Sequence, residues 1–302
     1  MSGVSQITNT PNLAIDESLA GAINAVSAVV LGKETQIRMA ICCLLARGHL
    51  LIEDLPGMGK TTLSHTLGAV LGLQHQRIQF TSDMLPSDVL GASIYDKHSG
   101  EFRFVKGPIF AQLLLADEVN RTTPKTQSAL LEAMEERQVT IDGVAHPLPE
   151  PFFVIATQNP VNQSGTYPLP ESQLDRFLMK IELGYPDAEA ERKMLQGSSG
   201  GRSGTEHIQP HLNLSALQTL QQQVDNVKVS EAILDYLQRL IGYSRTAQDY
   251  AYGLSPRGSL ALLQAAKSWA LIDKRHHVIP EDVQAVLPSV VAHRLELSLI
   301  HI

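Results

Sequence analysis

Apolar residues recur at close to helical spacing at Leu19, Ile23, Val26 and Val30, and again at Ile37, Ile41 and Leu44. Two helices are therefore expected before the first strand, over Asp16 to Val30 and Lys33 to Ala46. The run His49-Leu50-Leu51-Ile52-Glu53 reads as a buried strand, and a helix from Lys60 to about Leu71 follows a Gly-rich turn. Further strands are expected at Gln76 to Phe80, Gln112 to Asp117, Phe152 to Thr157 and Leu178 to Leu183, alternating with helical or irregular segments. That alternation predicts an α/β domain built on a mostly parallel sheet.

Two stretches break the rhythm. Ala92 to Val105 about His98-Ser99-Gly100, and Gln138 to Pro149 about Asp142-Gly143, alternate like strands around a turn and read as inserted hairpins. After Pro186 the pattern is helical only: Asp187 to Leu195, Leu214 to Val224, Ser230 to Thr246, Pro256 to Ile272 and Pro280 to His293. A core over residues 1–185 and a smaller helical domain over 186–302 are expected, with the Gly/Ser-rich tract Gly197 to Gly204 as a loop inside the second.

Composition fits this outline and narrows the function. The 302 residues suffice for about two domains, and 43% hydrophobic with 18% charged residues suits a folded globular chain. A net charge of −7 repels polyanions and disfavours generic nucleic-acid binding. Cys42 and Cys43 are adjacent in an apolar run, unsuited to an ordinary disulfide or to zinc, which fits a reducing cytoplasm. The first residues lack the basic and apolar regions of an export signal, and the apolar runs fall short of the ~18 residues of a membrane span.

The turn after the first strand carries the firmest chemistry. In Pro56-Gly57-Met58-Gly59-Lys60-Thr61, with Thr62 beside it, the glycines let main-chain N–H groups face an anion and the helix N-terminus adds its dipole. Lys60 would reach the outer phosphates of a nucleotide and Thr61 would ligate magnesium. The general phosphate-loop pattern puts glycine at position 54, where this chain has Asp54, a residue able to hold a turn through its own backbone bonds. A second apolar strand ends in Asp117-Glu118, with Asp117 suited to the magnesium shell and Glu118 to a base polarising the attacking water. A third ends in Gln158-Asn159-Pro160, either a plain Asn-Pro turn or a means for Asn159 to reach between the terminal phosphate and the lytic water.

The order of these pieces resembles the AAA+ superfamily, and the match to its MoxR branch is specific. It runs through Ala116-Asp117-Glu118-Val119-Asn120-Arg121-Thr122-Thr123-Pro124-Lys125-Thr126-Gln127, Ala156-Thr157-Gln158-Asn159-Pro160 and Gly165-Thr166-Tyr167-Pro168-Leu169-Pro170-Glu171-Ser172-Gln173-Leu174-Asp175-Arg176-Phe177. The resemblance implies a P-loop ATPase core with a helical lid, ATP and Mg²⁺ as cofactors, and nucleotide held between core and lid. It implies Asn159 as sensor 1, Arg176 as an arginine finger offered to a neighbour, Arg257 as sensor 2 reporting to the lid, and Gly32 and Lys33 near the adenine. Read locally, an ion pair between Asp175 and Arg176 at a surface turn is the lesser alternative. A ring of six copies is implied, as is chaperone-like maturation of partners bearing von Willebrand factor A domains and bound metals. A chelatase-type motor and a nucleic-acid translocase are the alternatives. His276, His277 and His293 lack metal-site partners and read as solvent-facing helix termini, and Trp269 as lid core.

Overall fold

The computed structural model describes residues 10–98, 100–160, 165–196 and 208–296, and the statements below concern these. The tract at 197–204 lies outside them. Helices α1 (Thr10–Val29) and α2 (Glu34–Leu45) lead into β1 (Leu50–Glu53), and α3 (Lys60–Val70) follows the Gly-rich turn. Then come β2 (His75–Gln79), α4 (Pro86–Leu90), the hairpin β3 (Gly91–Asp96) and β4 (Glu101–Lys106), and β5 (Leu113–Asp117). A 3-10 turn at Val119–Arg121 precedes α5 (Pro124–Glu136), the hairpin β6 (Gln138–Ile141) and β7 (Val144–Pro147), and β8 (Phe153–Gln158). After α6 (Glu171–Leu174) and β9 (Met179–Ile181) the order is helical: α7 (Ala188–Leu195), α8 (Leu214–Asp225), α9 (Glu231–Thr246), α10 (Pro256–Ile272) and α11 (Pro280–Val291).

The main sheet has the order β2-β5-β8-β1-β9 with every neighbouring pair parallel. Its central strands β1, β5 and β8 are apolar on both faces because both faces are covered, whereas the edge strand β2 is mostly polar and exposed. Leu50, Ile52, Leu113, Leu115, Phe153 and Ile155 point into one core with α1, α2, α3 and the C-terminal helices. Leu51, Leu114, Ala116, Val154 and Ala156, one residue out of step, point into a second core with Leu130, Leu131 and Met134 of α5. The two hairpins stand as two-stranded ribbons apart from this sheet, joined where the Phe104 ring stacks on His146 at 4.1 Å between centroids.

The C-terminal helices dock onto α2. The Cys42 thiol donates to the Ala265 carbonyl at 3.4 Å, the Ser268 hydroxyl to Cys42 O at 2.8 Å, and the Gln221 amide to Leu44 O at 2.9 Å. Burial pushes the Cys42 thiol up to about 12 and Cys43 well above its ordinary value, so both remain neutral core residues. Trp269 packs against the same core, with the Arg38 guanidinium over its ring. Among the described residues, no helix is long and apolar enough to cross a membrane.

One expectation is corrected here. His276 and His277 are exposed, but His293 is buried, with its Nε2 3.0 Å from the Phe177 carbonyl. The C-terminal end of α11 packs against the strand leading to β9, so this helix end does not face solvent.

Burial, first of all, pushes His293 down to about 3 and His49 and His75 down to about 4, from an ordinary 6.5. His49 is fixed as neutral imidazole, with Nδ1 accepting from Val154 N at 3.0 Å and Nε2 facing Met134 O at 3.4 Å. Because the folded pKa values lie below the unfolded one, the unfolded chain takes up protons first as pH drops. Stability is therefore full above about pH 6.5 and is lost as pH falls toward about 4. The thermal midpoint should decline between about pH 7 and about pH 5, and a flat profile would contradict this burial of neutral imidazoles.

Candidate functional site

The turn leaving β1 adopts the conformation that its glycines permit. Gly57 has φ +87° and Gly59 φ +86°, a region that side chains strain against, and an added Cβ at either would meet nothing within 4 Å. The free backbone surface is thus open to a ligand at the N-terminus of α3, where main-chain N–H groups gather. Lys60, buried at the first position of that helix, donates from Nζ to the Asp54 carbonyl at 2.7 Å. Burial lowers its pKa, opposed by the negative charges of Asp117, Asp54 and Glu118. Thr61 and Thr62 follow, exposed in the first turn, with Pro56 exposed and Met58 half-buried in the loop.

Asp54 is not a gap in the motif. Its carboxylate accepts from Leu55 N at 2.8 Å, and its second oxygen accepts from Leu183 N at 2.8 Å and Gly184 N at 2.6 Å. The carboxylate binds the loop across to the segment leaving β9, whereas a bond two residues along its own turn is the more ordinary use of an aspartate. Gly32 and Lys33 abut that same segment. The Lys33 ammonium is buried and donates to Tyr185 O at 2.6 Å, and a Cβ on Gly32 would lie 2.9 Å from that of Ala190.

Across the sheet, β5 delivers two carboxylates beside the loop. Asp117 accepts from the Thr157 hydroxyl at 2.6 Å and pairs with Arg77 at 2.6 Å. Glu118 turns away from it because its backbone is left-handed, with φ 58° and ψ 48°. Its carboxylate accepts from the Asn159 amide at 3.1 Å and the Gln79 amide at 2.7 Å, with Arg121 3.3 Å away. Asn159 therefore faces Glu118, and its own Oδ1 is buried without a protein partner. Two donors orient the Glu118 carboxylate outward from the strand end.

Arg176 and Arg257 lie elsewhere. Arg176 pairs with Glu135 at 3.0 Å, and Arg257 pairs with the other oxygen of the same carboxylate at 3.1 Å. Asp175 pairs instead with Arg294 at 2.6 Å, so Asp175 and Arg176 form no pair with each other. Glu135 lies in the last turn of α5, next to Met134, whose carbonyl meets His49 just ahead of β1. With Gly48, His49, Arg137 and Leu178, these residues line an open cleft of about 320 Å³. The cleft is at the entrance of β1 and the phosphate loop is at its exit. The lid helices pack on α2, and Arg257 faces the edge of the sheet opposite the phosphate loop of its own chain, away from the place expected of a group that reaches nucleotide within one chain.

Several of these groups escaped the sequence reading. Arg77 and Gln79 belong to β2, and the parallel register sets Gln79 opposite Asp117, so a polar strand exit beside an acidic one was the available signal. Thr157 was visible as a hydroxyl ending an apolar strand. Glu135 carried no local signal, since it looks like any acid on a helix surface.

The comparisons with known proteins identify the family. Residues 49–179 match the model of the ATPase family associated with various cellular activities (AAA), and residues 242–299 match an AAA lid domain. The chain is 42% identical over 292 residues to Chaperone MoxR1 of Mycobacterium tuberculosis, covering 93% of this chain and 76% of that protein. It is 45% identical over 279 residues to the uncharacterised protein YeaC of Bacillus subtilis, covering 92% of this chain and 87% of that one. A crystal structure from Cytophaga hutchinsonii, of a protein to which ATPase activity has been ascribed, superposes with a TM-score of 0.88 at 38% identity, over 96% of this chain and 91% of that one. An AAA core on a parallel sheet, an AAA lid domain and similarity of this degree over more than nine-tenths of the chain make it an ATP-hydrolysing member of the MoxR family of AAA+ ATPases.

Proposed function

We propose that this ATPase works as a ring, six copies in the simplest form, in which each nucleotide lies between the phosphate loop of one subunit and Arg176 and Arg257 of the next. The observation that carries this reading is the convergence of both arginines on Glu135 at the sheet edge remote from their own loop. One carboxylate neutralises one of two guanidiniums, so the pair keeps a surplus positive charge fit for a neighbour's terminal phosphate.

Within one subunit the roles follow from the contacts. The main-chain N–H groups of Gly57 to Thr62, in the turn that Pro56 begins, cradle the phosphates, and Lys60 neutralises their charge. Glu118, oriented by Asn159 and Gln79, aligns a water for in-line attack and accepts its proton. Thr61 and Asp117 form an all-oxygen donor set that suits magnesium, and the Asp117 oxygens keep lone pairs beyond those facing Thr157 and Arg77. When bound there, Mg²⁺ would neutralise charge on the phosphates. The division into core and lid falls near residue 185, between β9 and α7.

The energy of hydrolysis is directed at a partner protein in the cytoplasm. Similarity to a protein named as a chaperone supports remodelling as the work done, and a client with a von Willebrand factor A domain, matured or loaded with its metal, is the reading the family favours. The β3–β4 hairpin offers exposed Ile94, Tyr95 and Phe102 as an apolar contact for such a client.

Two measurements test these roles. Arg176→Ala and Arg257→Ala should each retain ATP binding and lose roughly 10³-fold or more in turnover, as removal of a phosphate-directed arginine does. Mixing either variant with the loop variant Lys60→Ala should restore part of the activity, because one subunit then supplies the arginines and its neighbour the loop. Mixtures as inactive as their components would place loop and arginines in one subunit. Separately, Glu118→Gln should bind ATP without hydrolysing it and hold its client in a pull-down. Recovery of nucleic acid in place of a protein with a von Willebrand factor A domain would overturn the client reading.

A further inference from the structure

We infer that Asp54 is a positioning residue that fixes the nucleoside side of the ATP site against the phosphate loop, and so sets the affinity for the nucleoside part of the ligand. The inference rests on the reading of residues 56–61 as the phosphate cradle.

The direction of the bound nucleotide follows from the sheet order. Asp117 and Glu118 leave β5 and Asn159 follows β8, all on one side of β1. The terminal phosphate must face those groups, so the rest of the nucleotide extends from the loop the other way, toward β9. That side is walled by the segment joining β9 to α7, and no strand of the main sheet pairs with this segment, because β9 is the edge strand and ends at Ile181.

The Leu183 side chain is buried in the core, and the main chain of the segment is anchored by the polar contacts described above. The Asp54 carboxylate accepts from the consecutive N–H groups of Leu183 and Gly184 at 2.8 and 2.6 Å, and the Lys33 ammonium donates to Tyr185 O at 2.6 Å. Asp54 is buried and so is Lys33, which makes these charge-assisted bonds strong and the alternative of unpaired groups costly. The Asp54 main-chain carbonyl simultaneously receives Lys60, so one residue touches both the phosphate-binding lysine and the wall of the nucleoside pocket. A glycine at position 54 would keep the carbonyl for Lys60 and lose the hold on residues 183 and 184. The main chain of the wall would then lose its carboxylate anchor and keep only the Leu183 packing and the Lys33 bond, while the cradle stayed intact.

The test uses two non-hydrolysable probes on the full chain: ADP, which engages both halves of the site, and inorganic pyrophosphate, which engages only the cradle. Asp54→Gly should leave pyrophosphate binding within about twofold while the advantage of ADP over pyrophosphate shrinks roughly tenfold or more, the scale of a lost charged hydrogen bond. Lys33→Met should move the ratio the same way, and Asp54→Asn, which retains one acceptor oxygen, should fall between. These two variants carry the test if Asp54→Gly fails to fold, as judged by its thermal melt. A ratio unchanged in all three variants, with both affinities intact or falling together, would overturn the inference. Pyrophosphate binding that survives Lys60→Ala unchanged would instead remove the phosphate-cradle reading beneath it.

Discussion

The parallel alignment of β1, β5 and β8 is the constraint on which the rest depends. Parallel strands put all their C-terminal ends at one edge, so the glycine turn, the two acids and Asn159 arrive together although they are separated by about 100 residues of chain. The alignment is held by two apolar cores that cover both faces, with odd and even residues of each strand committed to different sides. A one-residue slip of any strand would exchange its two faces and move its terminal polar group out of reach. Asp117 and Thr157 mark this register from both strands, since the hydroxyl that ends the apolar part of β8 meets the carboxylate that ends β5.

The same polarity gives the subunit a second end. The strand entrances lie at the opposite edge, where α5 finishes at Glu136 and α10 begins at Pro256, and there Glu135 gathers Arg176 and Arg257. In the proposed assembly, the phosphate loop at one edge of a subunit meets the arginines at the opposite edge of the next, head to tail. Heterologous contacts of that kind close into a ring where the rotation between copies closes, and the proposed ring rests on where the arginines sit.

Much of the core was legible because its signals are local. Apolar runs ending in polar residues marked β1, β5 and β8, and glycines before a lysine marked the loop, since no other residue type adopts that backbone as easily. Both hairpins announced themselves by alternation and a central turn. What stayed hidden was carried by tertiary contact. Helix α5 was blurred by Thr126 and Gln127, polar residues that are buried because the Gln127 amide bonds to the carbonyl oxygens of Val119, Thr122 and Tyr167. The meaning of Asp54 lay 129 positions away, at Leu183. The site of Arg257 depended on where the lid docks, and α2 decides that through Cys42 and Leu44, residues whose sequence shows only that they are apolar.

The account turns on a site divided between two subunits, and the structure of the ATP-bound Glu118→Gln assembly measures that division directly. The guanidiniums of Arg176 and Arg257 should lie within hydrogen-bonding reach of the terminal phosphate held by the Lys60 loop of the adjacent subunit. Finding Arg257 on the nucleotide of its own chain, or both arginines still paired with Glu135 and remote from any phosphate, would contradict it.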